Sequence, residues 1–301
     1  MKLTILGCYS ATPRTFTNPT SQVLELNNHH FLIDCGEGTQ VQLRKNKVKF
    51  TRIKHIFISH LHGDHCYGLI GLVSTFRMLS REAPLHIYGP KGIKEMITVQ
   101  LKLSNSWTDY PLHFHELTSK EPQVIFEDEK VIVTTIPLQH RIYCNGFHFQ
   151  EKPGDRTLIL SAAVNHNIDK AYFRSIKKGK DITLDDGTVI LNNELTKDPA
   201  PTKSYAFCSD TRYDEAKLSQ LQGITALYHE ATFLESHKYL CQSTGHSSAI
   251  EAATIAKKAN VGTLILGHYS TRYGDLSLFK EEARTVFANV EVADDGKVFE
   301  F

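Results

Sequence analysis

Three imidazoles and a carboxylate stand within six residues, His60-Leu61-His62-Gly63-Asp64-His65, directly after the apolar run Ile56-Phe57-Ile58. A β-strand ending there delivers nitrogen and oxygen donors onto one loop. In extended backbone alternate side chains share a face, so His60, His62 and Asp64 are expected to point the same way. Such a mixed imidazole and carboxylate set suits a borderline divalent cation such as Zn²⁺. A polar surface loop with chance histidines explains neither the spacing nor the strand before it. Cys66 adjoins the loop and reads as a small buried filler sooner than as a ligand.

Three further donors share one context, each at or just past the end of an apolar strand pattern. His140 follows Thr135-Ile136-Pro137-Leu138-Gln139, Asp210 follows Tyr205-Ala206-Phe207-Cys208-Ser209, and His268 follows Leu264-Ile265-Leu266-Gly267. Singly, each reads equally well as a capping or surface residue. Together with the loop they are expected at one end of a sheet, the edge where α/β folds place their chemistry.

The elements that must position these donors are legible as alternating runs. Strands are expected at Lys2 to Gly7, Ser21 to Leu26, His30 to Asp34, Ile53 to Ser59, Leu85 to Tyr88, and in a hairpin of Val124 to Phe126 with Val131 to Leu138. Helical patterns follow Gly36-Glu37-Gly38, run from Gly68 to Leu79, and run from Gly92 to about Leu103. Residues 149–203 then carry charges of both signs, several Gly and Pro, and little periodicity. Regular patterns return with strands at Ser204 to Cys208, Ala226 to His229, Thr263 to Gly267 and Val290 to Ala293. Helices are expected at Ser247 to Ala259 and Leu276 to Ala288. The pattern predicts two βα halves with an inserted arm.

Composition narrows the class. A chain of 301 residues with 41% hydrophobic and 22% charged residues builds a substantial core as a globular protein. The net charge of +1 leaves any nucleic-acid contact to local patches. Sixteen histidines stand against a single tryptophan. The six cysteines are scattered without a CxxC pair, which predicts reduced thiols and a cytoplasmic location over a disulfide framework. Met1 to Gly7 is too brief an apolar run for a signal peptide, and no stretch reaches the ~18 apolar residues of a membrane span.

The set His60-x-His62-x-Asp64-His65, with His140, Asp210 and His268, resembles the metallo-β-lactamase superfamily. That resemblance implies an α/β, four-layer αββα sandwich with a binuclear metal centre. It assigns His60, His62 and His140 to one ion, Asp64, His65 and His268 to the other, and Asp210 to a bridge. Further blocks resemble the ribonuclease Z family of tRNA 3′-processing endonucleases. These are Ser10-Ala11-Thr12-Pro13, Asn18-Pro19-Thr20-Ser21, Asp34-Cys35-Gly36-Glu37-Gly38-Thr39-Gln40, His229-Glu230-Ala231-Thr232-Phe233, Thr244-Gly245-His246-Ser247 and His268-Tyr269-Ser270-Thr271-Arg272-Tyr273. They run from the start of the chain to about residue 275. The metal motif is specific only to the superfamily; the combination points to ribonuclease Z.

The implied chemistry is phosphodiester hydrolysis. Two cations, two per subunit and expected as Zn²⁺ with Mn²⁺ or Co²⁺ able to share the ligands, generate hydroxide at neutral pH and screen the phosphate. Asp64 is expected to accept the proton of the attacking water while binding metal. The leaving ribose oxygen needs a proton, and a histidine suits that task. His246 is the chosen donor, with Glu230 holding its ring, and the resemblance implies the same pair. The plainer alternative leaves His246 as a residue at a helix start, where the dipole disfavours imidazolium, and Glu230 as a surface acid. The expected products are a tRNA ending in a 3′-hydroxyl and a trailer beginning with a 5′-phosphate.

Between residues 170 and 180 stand Lys170, Arg174, Lys177, Lys178 and Lys180, with Tyr172 and Phe173 between them. As residues alone they read as a solvated loop. By resemblance, residues 149–203 form a flexible arm that docks precursor tRNA, entered at Gly146-Phe147 and Glu151-Lys152-Pro153 and continued by Lys178-Gly179-Lys180 and Asp186-Gly187. Phosphates of a folded RNA are the expected partner, recognised by shape. Neither DNA nor a membrane is expected. Arg272 and the Thr12-Pro13-Arg14 region are expected near the acceptor end. The arm departs from the family in lacking a Gly-Pro-rich tip, and Cys208-Ser209-Asp210-Thr211 has serine where glycine is more usual. The resemblance also implies a homodimer, the arm of one chain serving its partner's site. Two rivals remain: another hydrolase of the superfamily, such as a lactonase-like enzyme or small phosphodiesterase, and a catalytically silent RNA-binding protein.

Overall fold

Side chains of successive strands alternate between two cores. Leu32, Ile56, Ile58 and Ile87 join one buried cluster, while Phe31, Ile33, Phe57 and Tyr88, their neighbours along the strands, join another. A sheet buried on both faces in this way must be covered twice, and the chain supplies a second sheet for one face and helices for the other. The computed structural model describes residues 1–301 except 13 and 185, so Pro13 of the expected acceptor-end region lies outside the described residues.

The front of the chain forms β1 (Lys2–Gly7), β2 (Ser21–Leu26), β3 (His29–Ile33), β4 (Ile53–Phe57), β5 (Leu85–Pro90) and β6 (Leu112–Leu117), followed by β7 (Val124–Glu127), β8 (Val131–Leu138) and β9 (Cys144–Glu151). A separate unit, Glu151–Thr202, holds the two-residue strands β10 (Thr157–Leu158), β11 (Ile182–Thr183), β12 (Val189–Ile190) and β13 (Thr196–Lys197). The chain ends with β14 (Ser204–Cys208), β15 (Ala226–Glu230), β16 (Thr263–Gly267), β17 (Val290–Val292) and β18 (Val298–Glu300). One seven-stranded sheet has the order β18-β1-β2-β3-β4-β5-β6, the other β17-β16-β15-β14-β9-β8-β7. Phe31 and Phe57 of the first sheet meet Phe147 and Phe149 of the second at centroid distances of 5.2–5.4 Å. The helices Leu69–Met78 and Ile93–Leu103 cover the first sheet, and Ala249–Lys258 covers the second through Ala249, Ala252, Ala253 and Ala256. The result is an αββα sandwich.

Three expectations need correction. Leu112–Leu117, Cys144–Glu151 and Val298–Glu300 are strands that the sequence pattern did not reveal. β9 reads as polar because Asn145, His148 and Gln150 interrupt it, yet it pairs with β14 through Phe147↔Phe207 and Phe149↔Tyr205. Second, the metal loop is not extended throughout. His62 is the last extended residue, and Gly63–Cys66 is a helical turn, so the two-residue alternation stops before Asp64. Third, the helix expected from Ser247 to Ala259 begins at Ala249 with Ser248 as its cap, so His246 lies before the helix and outside it.

The unit Glu151–Thr202 has its own small core of Ala163, Ile168, Ile176, Ile182, Ile190 and Leu195. It is more ordered than its weak periodicity suggests, because its helices, Leu160–Asn165, Phe173–Lys177 and Asn192–Leu195, are too short to show a repeat. Lys170, Arg174, Lys177, Lys178 and Lys180 are all exposed. Lys178 is paired with Asp155 at 2.7 Å, and Arg156 with Asp198.

Candidate metal centre

Parallel strands deliver the donors. β3 and β4 end at Asp34 and at the His60 loop. β14, β15 and β16 run parallel; Asp210 lies two residues past β14, Glu230 is the last residue of β15, His268 follows β16 directly, and His140 lies two residues past β8. Two of these residues, Asp34 (φ 54°) and His268 (φ 62°), adopt left-handed backbone. For a non-glycine residue that conformation is uncommon and concentrates at functional sites. Gly36 is fixed by contact: a Cβ there would lie 2.5 Å from the Asp64 carbonyl oxygen, so the Asp34–Gln40 block packs directly on the metal loop.

Two donor groups result. His60, His62, His140 and Asp210 present ligand atoms to one point, and Asp64, His65 and His268 to another, every atom within 4.8 Å of the others in its group. Asp210 lies between them. Its Oδ1 is 3.4 Å from His65 Nε2 and 3.1 Å from His268 Nε2; its Oδ2 is 3.5 Å from His60 Nε2 and 3.8 Å from His140 Nε2. His60, His65, Asp210 and His268 are buried, and His62, Asp64 and His140 are partly covered.

The ring protons are spent facing outward. His65 Nδ1 lies 2.7 Å from Asp34 Oδ2, His140 Nδ1 2.8 Å from the Gly245 carbonyl, and His268 Nδ1 2.9 Å from Thr232 Oγ1. Ser59 Oγ donates to Asp34 Oδ2 and so accepts from His60 Nδ1 at 3.0 Å. Thr232 Oγ1 likewise donates to Glu230 Oε2 and accepts from His268. With those protons outside, the Nε2 lone pairs of four rings face inward, joined by Nδ1 of His62. His62 Nδ1 is 2.9 Å from His60 Nε2 and 3.3 Å from His140 Nε2. Converging lone pairs repel unless a cation sits among them. Burial pulls His60, His62 and His140 below the ordinary imidazole range, which keeps them in the neutral, ligating form. Asp210 Oδ1 is buried and hydrogen-bonded to nothing. The donor set fits two borderline divalent cations.

Beside this centre, His246 Nδ1 lies 3.0 Å from Glu230 Oε1, and its ring centroid is 5.3 Å from those of His140 and His268. Glu230 is fully buried. It also accepts from the backbone amides of Thr211, Ser247 and Thr232, and is held by Thr232 Oγ1 as well. Burial disfavours its charge, but His246 and these donors outweigh that and hold its carboxyl below the usual range. Burial likewise pulls His246 down, and Glu230 with Asp210 more than offsets it, bringing the imidazole up to about 9.

A cleft of about 630 Å³ opens over the centre, lined by Asp64, Asp210, His246, His268, Arg141 and Arg272 among others. Arg272 is exposed, its guanidinium 5.5 Å over the Phe233 ring. Thr12 also lines the cleft, and Arg14 donates to the Tyr273 carbonyl. The structure thus gathers at one site the seven expected ligands, His246, Glu230 and Arg272. Lys177, Lys178 and Lys180 lie in the Glu151–Thr202 unit. Sequence reading gave no role to Asp34, Ser59, Thr232 or the Gly245 carbonyl, and passed over Arg141. Asp34 and Thr232 stand inside the quoted blocks, which was the available signal. Ser209, the departure from the usual glycine, donates to Ser59 Oγ at 3.1 Å and joins the same network. Cys66 is buried, donates to the His62 carbonyl, and belongs to neither donor group.

Outer partners of this kind orient metal-bound imidazoles and are worth about 10–100-fold in metal affinity. Asp34→Ala is therefore expected to weaken metal retention by about that factor, read from residual metal content across a chelator titration. Retention equal to the parent protein's would deny Asp34 that role.

Comparison with known proteins agrees with this geometry. A family model described as "Anti-Pycsar protein Apyc1" matches residues 1–194, which include the His60–His65 loop and His140. Ribonuclease Z of Bacteroides fragilis is 46% identical over 294 residues, 98% of this chain and 97% of the relative. Ribonuclease Z of Porphyromonas gingivalis is 43% identical over 97% of this chain and 96% of the relative. Among solved structures, the short form of human tRNase Z matches with a TM-score of 0.72 and 26% identity, covering 100% of this chain and 99% of that one. The metallo-beta-lactamase fold protein YhfI from Bacillus subtilis shares the fold, with a TM-score of 0.70 at 19% identity over 100% of this chain and 99% of that one. Residues 1–194 belong with the proteins that the Apyc1 model describes, and over its full length the chain belongs to the ribonuclease Z family, endoribonucleases of the metallo-β-lactamase fold.

Proposed function

We propose that this protein removes the 3′ trailer from precursor tRNA by hydrolysing one phosphodiester, leaving a 3′-hydroxyl on the tRNA and a 5′-phosphate on the trailer. The observation that carries this reading is the His246–Glu230 pair standing against a centre of seven convergent donors. His60, His62 and His140 would hold one ion, Asp64, His65 and His268 the other, and Asp210 both. Zn²⁺ is the expected metal, with Mn²⁺ and Co²⁺ compatible with the same ligands. When bound, the two cations lower the pKa of water and screen the phosphate charge.

The residues of the chain supply the remaining steps. Asp64, whose Oδ2 also accepts from the Ala11 amide at 2.9 Å, takes the proton of the attacking water. His246, held through Nδ1 by Glu230, presents Nε2 to the ribose 3′ oxygen and gives it a proton as the bond breaks. Arg141 and Arg272 offer charge to the flanking phosphates at the cleft. The exposed Lys170, Arg174, Lys177, Lys178 and Lys180 of the arm bind the tRNA body by its phosphates. A cytoplasmic location fits six free thiols, and no helix among the described residues is long and apolar enough to cross a membrane. A homodimer, with each arm serving the partner's site, is the assembly this reading expects.

The direct test is incubation of purified protein with 3′-extended tRNA, with and without chelator, and mapping of the cut. Metal-dependent cleavage beyond the discriminator supports the proposal. Hydrolysis of bis(p-nitrophenyl) phosphate without cleavage of the precursor would favour the small-phosphodiesterase reading. A metal-loaded protein that binds tRNA without cutting it would favour the silent one.

The arm is separable in principle, because Gln150 and Ser204 pair directly across β9 and β14 and a tight turn can join them. Replacing residues 151–202 by such a turn is expected to weaken tRNA binding and spare hydrolysis of the small diester. Loss of both activities would make the arm part of the catalytic body.

A further inference from the structure

Five of the sixteen histidines, His29, His55, His86, His113 and His115, form a second assembly on β3 to β6, outside the two donor groups of the candidate metal centre. His55, His86 and His113 are register partners across β4, β5 and β6. His86 is the second residue of β5, whereas the catalytic donors follow the last residue of β4. The rings stack: His55 on His86 at 5.1 Å and 21°, His86 on His113 at 4.8 Å and 22°, and Tyr88 on His115 at 4.2 Å and 9°. His29 approaches the same row at 6.4 Å from His55 and is itself tied to Asp128.

An aromatic ladder would serve packing equally well with Phe or Tyr, as Phe31, Phe57 and Tyr88 do in the adjoining row. Imidazole adds lone pairs. His86 Nδ1 and His115 Nε2 face each other at 3.0 Å, so one of them donates to the other. His113 lies two residues before His115 on the same face of β6, and β6 is an edge strand with an exposed His113. Burial, reinforced by neighbouring histidines, holds His86 and His115 below the ordinary imidazole range, so neither carries a competing proton near neutrality.

We propose that His86, His113 and His115 form a second, imidazole-only site for a borderline divalent cation of the Ni²⁺ or Cu²⁺ class, distinct from the catalytic pair. A tautomer change turns both facing nitrogens of His86 and His115 into acceptors, and a cation takes the place of the shared proton. With bonds of about 2.0–2.1 Å, the 3.0 Å separation subtends roughly 95° at the ion. That is near the right angle of square-planar or octahedral coordination, and short of the tetrahedral angle zinc prefers. His113, exposed on the edge strand and stacked on His86, turns off that stack to supply the third nitrogen, and water completes the shell.

The test uses the full chain with its catalytic sites loaded with zinc. Calorimetric titration with Ni²⁺ is expected to show one further equivalent per chain. Electron paramagnetic resonance after Cu²⁺ addition is expected to show splitting from at least two nitrogens. The double variant His86→Phe/His115→Phe keeps the ring stack, removes the facing nitrogens, and should lose the extra equivalent while cleaving substrate at the parent rate. His113→Asn should weaken it. Absence of a further equivalent, an oxygen-only copper signature, or undiminished binding in the double variant would overturn the proposal. Should that variant fail to fold, the copper signature of the parent protein decides alone.

Discussion

Asp64→Ala is expected to lower precursor cleavage by about 10³-fold or more while leaving tRNA affinity nearly unchanged. In the proposed reaction Asp64 has two tasks, since it belongs to the donor group of His65 and His268 and lines the cleft where the attacking water would be deprotonated. Its carboxyl is driven far below the usual range: burial opposes ionisation, and the His65 and His268 rings overcome it. The alanine side chain keeps the loop's backbone but removes a ligand and a base together. The exposed lysines of the Glu151–Thr202 unit, proposed to bind the tRNA body, are untouched. Single-turnover cleavage and a gel-shift titration on the same protein read the two quantities separately. Equal loss in both would mean that Asp64 holds the fold or the RNA, and that its chemistry is incidental.

The second large effect belongs to His246. Removing a positioned general acid costs typically 10²–10⁴-fold, so His246→Ala should fall in that range with metal content unchanged. The pH profile carries more information than the loss. The donating form is the imidazolium, and its pKa is raised to about 9 in the folded protein. The competent form therefore persists below that value and is lost as pH rises through it. Bound cations push the group downward from there, so the alkaline limb of the rate profile is expected at or below about pH 9. Glu230→Gln removes the charge that holds His246 up, and should move this limb to lower pH. It also places an amide NH₂ among the donors of Thr211, Ser247 and Thr232, so a lower melting temperature is expected with it. A limb that stays in place in Glu230→Gln would remove His246 from the role of acid.

Local signals in this chain are strong wherever chemistry and strand pattern coincide. The His60–His65 spacing, and the position of His140, Asp210 and His268 just past apolar runs, announce ligands before any fold is known, because ligand types and strand ends are both short-range features. The polar strand Cys144–Glu151 gave no such signal, since its stability comes from pairing with β14 and not from its own alternation. The helical turn at Gly63–Cys66 was hidden for a related reason: four residues are too few to show a period, and only the fit against Gly36 and Cys35 fixes them.

The sequence by itself determined the donor inventory, the order of the strands that carry it, and the family. Tertiary structure alone decided which nitrogen of each histidine turns inward. That choice depends on Asp34, Ser59, Thr232 and the Gly245 carbonyl, residues that are far along the chain from most of the rings they orient. It also decided that histidines on β4, β5 and β6 stack into one row. Spacing along a strand fixes the face of a side chain, but register between strands, set by the packing of the whole sheet, fixes its neighbour.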